Sequence, residues 1–405
     1  MIEISQTNRP TGPDVLSHCQ NSLHSLLKRK DLGFLDLPHR IPLWQESQKL
    51  GNQWRERFQQ LVVLGIGGSS LGVRTLIEVF NVQSVIVLDN VDGITFQREL
   101  EHIKDWEKTG WAVISKSGTT IETLCALEFV QQIYKEKGIR FDQRVVVISE
   151  TTENSLSKWA QLHSIPHLEI PKDVGGRYSV LSPVGMFPAA YMGLDLEALR
   201  LGAIGALKNT TAVTQLMAQF SSSFQRQEWI TNFWFYSSRL KCFGMWWMQL
   251  WAESLAKKTN RHGKEAPRVS TPVSAIGATD QHSVLQQVME GAKDKFVVFW
   301  QFEDTEKAGL PLAESHFPET KDLVGRRMGE LLLIEAESTC QGLNLNGVST
   351  MTLRVAQLNE ESLGHLLMLC QILVGGLGEL LEINAFDQPG VELGKRLAKE
   401  KLRKP

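Results

Sequence analysis

Short apolar runs and stretches of helical spacing alternate along the first half of this chain, with glycine- or hydroxyl-rich breaks between them. Leu61-Val62-Val63-Leu64 reads as a strand. It gives way at once to Gly65-Ile66-Gly67-Gly68-Ser69-Ser70-Leu71-Gly72, and then to a helix over Val73–Phe80. Ser84–Asp89 is the next strand run, followed by a helix over Thr95–Ile103. Trp111–Ile114 is the third run. It leads through the segment Ser115-Lys116-Ser117-Gly118-Thr119-Thr120-Ile121-Glu122-Thr123 into apolar positions at helical spacing, Leu124–Val130. Val145–Ser149 and a helix over Ser155–Leu162 complete the series. A β-α-β-α-β-α-β order predicts an α/β fold with a parallel sheet flanked by helices.

The flanks are less regular. Leu16–Leu27 predicts a helix, Pro38–Pro42 a connector and Gln48–Phe58 a polar helix. Past the first sheet, Ala189–Leu207 and Thr211–Phe220 predict helices, with a break at Lys208-Asn209-Thr210. The aromatic-rich segment Trp229–Lys258 reads as one buried helix. Asn232, Arg239, Lys241 and Gln249 interrupt it, so it lacks the clean run of about 18 apolar residues that a membrane span needs. Asn260–Pro272 reads as a polar loop and Val284–Met289 as a helix. Lys295–Phe302 is a strand run, Glu303–Val324 is loop-like and Gly325–Glu337 is helical. A strand within Asn346–Val355 and a long apolar helix over Leu363–Ile383 follow. The expected division is an N-terminal arm, 1–45; a first α/β domain, 46–195, with its end near Asp195; a second, 196–385; and a C-terminal segment, 386–405.

At 405 residues, two cores are the natural expectation. The net charge of −2 argues against a general nucleic-acid or anionic-membrane binder. Cys19, Cys125, Cys242, Cys340 and Cys370 are scattered and odd in number, without metal-ligand spacing, which predicts reduced thiols and a cytoplasmic protein. The start of the chain lacks the basic and apolar regions of a signal peptide.

The chemistry concentrates at strand ends. The Ser115–Thr123 segment falls where a strand ends and a helix begins. Unpaired backbone N–H groups, hydroxyls and the Lys116 ammonium there make an anion socket, most naturally for a phosphate. A plain Ser/Thr-rich helix cap uses the same residues. The Gly65 turn lets backbone approach a ligand closely, but its spacing is not that of a dinucleotide fingerprint. Both breaks lie at the carboxyl edge of the predicted sheet, where ligands of such sheets gather. In Asp173–Gly185, paired glycines stand beside Arg177, whose guanidinium could offset charge on a developing oxyanion. Gln249 and Glu253 are adjacent on one helical face. A carboxylate near three tryptophans is a plausible base with a pKa pushed upward, although a lone helical Glu is usually a solvated side chain.

The Gly175-Gly176-Arg177 segment and Phe386-Asp387-Gln388-Pro389-Gly390-Val391-Glu392-Leu393-Gly394-Lys395 closely resemble the two signatures of the glucose-6-phosphate isomerase family. The Gly65–Ser69 turn and the Ser115-Lys116-Ser117 loop match that family as well, so the matching blocks extend from about Leu61 to Lys395. The resemblance implies two sugar-isomerase-type domains, each a mainly parallel sheet between helices, and a homodimer. It implies interconversion of D-glucose 6-phosphate and D-fructose 6-phosphate through a cis-enediol, without a metal or cofactor. Glu253 would be the base and Arg177 the charge stabiliser. His282, supplied by the partner subunit, and Lys395 would assist ring opening. Gly68, Ser69, Ser115, Lys116, Ser117, Thr119, Thr120, Thr123, Gln249 and Gln388 would bind substrate. The family usually has an aliphatic residue where Gln281 stands. Two alternatives stay open: a non-catalytic sugar-phosphate-binding regulator, and an isomerase that also takes mannose 6-phosphate.

Overall fold

The computed structural model describes residues 2–402. Its strands are β1 (Ile2–Thr7), β2 (Gln60–Leu64), β3 (Val85–Leu88), β4 (Thr109–Ile114) and β5 (Val145–Ser149), then β6 (His167–Glu169), β7 (Ile230–Phe235), β8 (Thr271–Ile276), β9 (Lys295–Phe302) and β10 (Ser349–Val355). They form two five-stranded sheets, ordered β3-β2-β4-β5-β6 and β1-β10-β9-β7-β8.

The first sheet is parallel throughout. Both of its faces are covered, which is why its strands read as unbroken apolar runs rather than alternating ones. Leu61, Val63, Ala112, Ile114, Val146 and Ile148 face Trp54, Phe58 and Phe187 on one side. Val62, Leu64, Trp111, Val113, Val145 and Val147 face Leu127, Val130 and Leu156 on the other. Each fully buried side chain of this size stabilises the fold by about 1.5–3 kcal/mol. Parallel pairing in register places Leu64 beside Val113, and Ile114 beside Ile148, so the loops leaving these strands emerge side by side. The short β6 falls outside the strands expected from the sequence, because its three residues carry too little pattern to read.

The second sheet is parallel from β10 to β8 and is closed at one edge by β1, antiparallel to β10. The expected 1–45 arm is therefore not separate. Its strand belongs to the second sheet, and its helix Pro13–Leu27 packs on the helices Thr210–Gln225 and Glu360–Leu380. Residue 45 falls inside the helix Ile41–Arg57, which covers the first sheet through contact with the helix Pro183–Met192.

The expected single helix over Trp229–Lys258 is corrected to β7, a short turn and the helix Lys241–Leu255. Ile230-Thr231-Asn232-Phe233-Trp234-Phe235 is a buried inner strand of the second sheet, between β9 and β8. A fully buried strand has no period-2 signal, and only its β-branched and aromatic bias separates it from helix. The expected loop over Asn260–Pro272 likewise ends inside β8. One helix among the described residues, Glu360–Leu380, is long and apolar enough to cross a membrane, but 89% of its most apolar window is buried inside the protein.

Candidate active site

In chain order, the parallel strands of the first sheet take the spatial order second, first, third, fourth, fifth. The crevice of such a sheet opens where the order reverses, between β2 and β4. The Gly65–Ser70 turn leaves β2 there, and the Ser115–Thr120 loop leaves β4. Gly118 has φ +61°, and a Cβ on it would strike the Asn154 side chain, which caps the helix Ser155–Leu162 after β5. The loop is thus seated on that cap. Ser115 is buried and donates to Thr120 Oγ1 at 3.0 Å, and Thr119 donates to Ser117 Oγ through both its N–H and its hydroxyl. No side chain caps the first turn of the helix Ile121–Glu136. Its N-terminal dipole and N–H groups face the loop, the arrangement that binds anions.

The second wall is the Gly175-Gly176-Arg177 turn. Asp173 anchors it through two bonds from Arg40, at 2.9 and 2.6 Å, which hold the Asp173 carboxyl below the usual carboxylate range. The two glycine turns touch. A Cβ on Gly68 would lie 2.4 Å from the Gly176 carbonyl oxygen, a backbone atom that cannot rotate aside. Gly68→Ala is therefore expected to cost about 1–3 kcal/mol of stability, read from the denaturation midpoint, because the walls must separate.

Arg177 is almost wholly buried, and all five of its N–H donors are engaged. Nε donates to Ser254 Oγ at 2.7 Å. Nη1 donates to Gln388 Oε1 at 2.7 Å and to Glu253 Oε2 at 3.3 Å. Nη2 donates to the main-chain carbonyls of Ala385 and Asp387 at 2.8 and 3.0 Å. One guanidinium thus joins the glycine turn, the helix Lys241–Leu255 and the C-terminal segment. Tyr178 lies against it, with its hydroxyl 3.1 Å from Ser254 Oγ; burial pushes the phenol up, so it stays neutral.

Glu253 is one turn from Gln249, whose Nε2 donates to Glu253 Oε1 at 2.9 Å. Its side chain is 32% exposed, into the cleft. The apolar setting expected for it is not what surrounds its oxygens. Trp247 and Trp251 pack on Phe233 inside the core, while the carboxylate meets an amide and a guanidinium.

These parts line one cleft of about 830 Å³. Of the residues singled out from sequence, Gly68, Ser69, Lys116, Ser117, Thr120, Arg177, Gln249, Glu253, Gln388 and Lys395 lie on its wall. Ser115, Thr119 and Thr123 are not on it: Ser115 and Thr123 are buried, Thr123 with an unpartnered hydroxyl, and Thr119 is exposed. His282 lies elsewhere, exposed on the turn Thr279–His282. That turn is pinned by Asp280, which accepts from the Ile276 N–H at 2.7 Å, and by Gln281, which accepts from the Tyr236 hydroxyl at 2.9 Å. Gln281 thus has a structural task beside the imidazole. Sequence reasoning passed over Glu150, which directly follows β5 in the cleft and pairs with Lys116 at 3.3 Å. Its place at a strand end on the ligand-binding edge was the available signal. Among the described residues no group of three or more His, Cys, Asp or Glu side chains is placed to hold a metal ion.

The sequence profile of the family described as phosphoglucose isomerase matches residues 47–405. A glucose-6-phosphate isomerase of Thermus thermophilus is 35% identical, across 99% of this chain and 100% of its own length. A probable glucose-6-phosphate isomerase of Methanococcus maripaludis is 33% identical, across 93% of this chain and 86% of its own. The crystal structure of a hypothetical protein from Thermus thermophilus superposes with a TM-score of 0.88 at 32% identity, covering 96% of this chain and 97% of that one.

Proposed function

The chain belongs to the phosphoglucose isomerase family, and from that premise we infer that it interconverts D-glucose 6-phosphate and D-fructose 6-phosphate in the cleft between its two sheets. One observation carries the residue assignment: the carboxylate of Glu253 and the hydroxyl-lined loop at Ser115–Thr120 open onto the same space, with the Arg177 guanidinium beside the carboxylate.

The phosphate takes the loop and the start of the helix Ile121–Glu136, which fixes the far end of the sugar. Lys395 assists ring opening from the C-terminal segment. Glu253 then removes the C2 proton; the C–H electron pair becomes the C1=C2 bond and the C1 carbonyl π pair moves onto O1, giving the cis-enediol in its enediolate form. The O2 hydroxyl proton passes to O1, the electron pair left on O2 forms the C2 carbonyl, and the C1=C2 pair takes back the proton from the Glu253 carboxyl at C1. Negative charge passes from Glu253 to the sugar oxygens during this step. Arg177 already touches the carboxylate, and its 3.3 Å contact is the longest of its bonds. As the carboxylate is neutralised, that donor is free for the new oxyanion without movement of the guanidinium.

A coupled assay on the purified chain tests the reading, with glucose 6-phosphate, fructose 6-phosphate and mannose 6-phosphate as substrates. Conversion between the first two is expected; binding without turnover would favour the regulator, and turnover of mannose 6-phosphate the broader isomerase. Lys116→Ala is expected to raise KM about ten- to a hundredfold, because it removes a charge-assisted contact and leaves Glu150 facing the phosphate. Its kcat should stay within a few-fold. An unchanged KM for the sugar phosphate would remove Lys116 from the phosphate site.

The functional unit in this reading is a homodimer in the cytoplasm. The five free cysteines suit a reducing compartment. His282 does not line the cleft of its own chain, yet it is exposed on a pinned turn, as a residue offered to a second copy would be.

A further inference from the structure

Lys257 follows the helix Lys241–Leu255, four residues after Glu253, and its side chain is only 6% exposed. Its ammonium donates to the Glu253 main-chain carbonyl at 2.9 Å, to Asp387 Oδ1 at 2.9 Å, and to the Asp387 main-chain carbonyl. Those three bonds use all the donors of an ammonium. The Glu253 carbonyl is among the last of its helix and has no later helical turn to pair with, so the cation caps the turn that carries Glu253.

Asp387 is held from its other side as well. Asn384 donates to its Oδ2 at 2.8 Å, and Arg177 Nη2 donates to its carbonyl at 3.0 Å. Gln388, the next residue, enters the cleft, and Lys395 follows one short helix start later. The Lys257–Asp387 contact is therefore a direct tie between the turn bearing the base and the segment bearing the ring-opening groups. Burial pulls the Lys257 ammonium down from its ordinary range, and the bond to Asp387 opposes that pull.

We propose that Lys257 is a positioning residue for the isomerisation, and that its pair with Asp387 sets the spacing between Glu253 and the Gln388–Lys395 segment. This rests on the isomerase reading. Glu253 works at C1 and C2 while Lys395 works at the ring oxygen, so one sugar must meet both at once. The phosphate loop hangs from the other sheet and takes no part in the tie.

The test compares Lys257→Met, Asp387→Asn and the double variant in glucose 6-phosphate turnover. Each single change is expected to lower kcat about tenfold or more with KM within about twofold, a split that loss of folded protein alone would not produce in this form once active-site concentration is normalised. The double variant should lose no more than the worse single one, because both break the same contact. The proposal is overturned if kcat in Asp387→Asn stays within about twofold of the parent, if KM rises as much as kcat falls, or if the two losses multiply. Should Lys257→Met not fold, Asp387→Asn decides alone, since its carboxylate is half exposed. A parent chain without isomerase activity would instead refute the isomerase reading.

Discussion

Glu253→Gln is expected to lower kcat by at least about a hundredfold, up to about ten-thousandfold, with little change in KM. The amide keeps the shape of the carboxylate: its oxygen can accept from Arg177, and its NH2 can donate to the unpartnered Gln249 Oε1 once that amide turns over, so packing of the helix Lys241–Leu255 is undisturbed. What it loses is the ability to accept a proton from carbon. The barrier should rise by about 3–5.5 kcal/mol, the usual worth of a positioned general base. KM should hold because the loop proposed to take the phosphate lies on the edge of the first sheet, while Glu253 comes from the helix after β7 of the second. Steady-state rates in both directions measure the effect. Exchange of the C2 hydrogen with deuterium from solvent should fall in parallel. A variant that turns over near the parent rate, or one whose exchange persists while isomerisation stops, would take the base away from Glu253.

The first sheet was legible because each of its four longer strands is an unbroken buried run followed by a glycine, hydroxyl or polar break. Those breaks are also where the ligand-binding edge forms, so fold and anion socket were read from the same residues. The strand order was not legible: nothing in the Gly65 or Ser115 segments states that β2 and β4 are neighbours, and the crevice between them comes from long-range pairing. The second sheet was harder. Its inner strand β7 is aromatic and buried on both faces, and it runs within a few residues into a helix of the same composition. Its edge strand β1 comes from the far end of the chain, a pairing that no local pattern encodes. At the site, family signatures named Arg177, but only geometry shows its five bonds holding three segments together. Lys257 and Glu150 carry no motif; each is picked out by its ion pair, with Asp387 far along the chain and with Lys116 at the end of the neighbouring strand.

Mixing two inactive variants should restore activity if His282 serves the cleft of a second copy. Glu253→Gln and His282→Ala are each expected to fall to about a hundredth of parental turnover or less. In a mixed dimer, the chain carrying His282→Ala keeps its own Glu253 and receives an intact imidazole from its partner. The other cleft of that dimer lacks both groups. Random exchange makes about half of all dimers mixed, each with one intact cleft, so about a quarter of parental activity should return. Exchange is achieved by coexpression or by refolding the two chains together; simple addition of stable dimers serves as the blank. The logic fails cleanly in the other direction. If His282 acted in its own chain, every cleft in a mixed dimer would still lack either the carboxylate or the imidazole, and no activity would return. The exposed turn at Thr279–His282 favours the first outcome, because its backbone is pinned by Asp280 and Gln281 while His282 lines no cleft of its own chain.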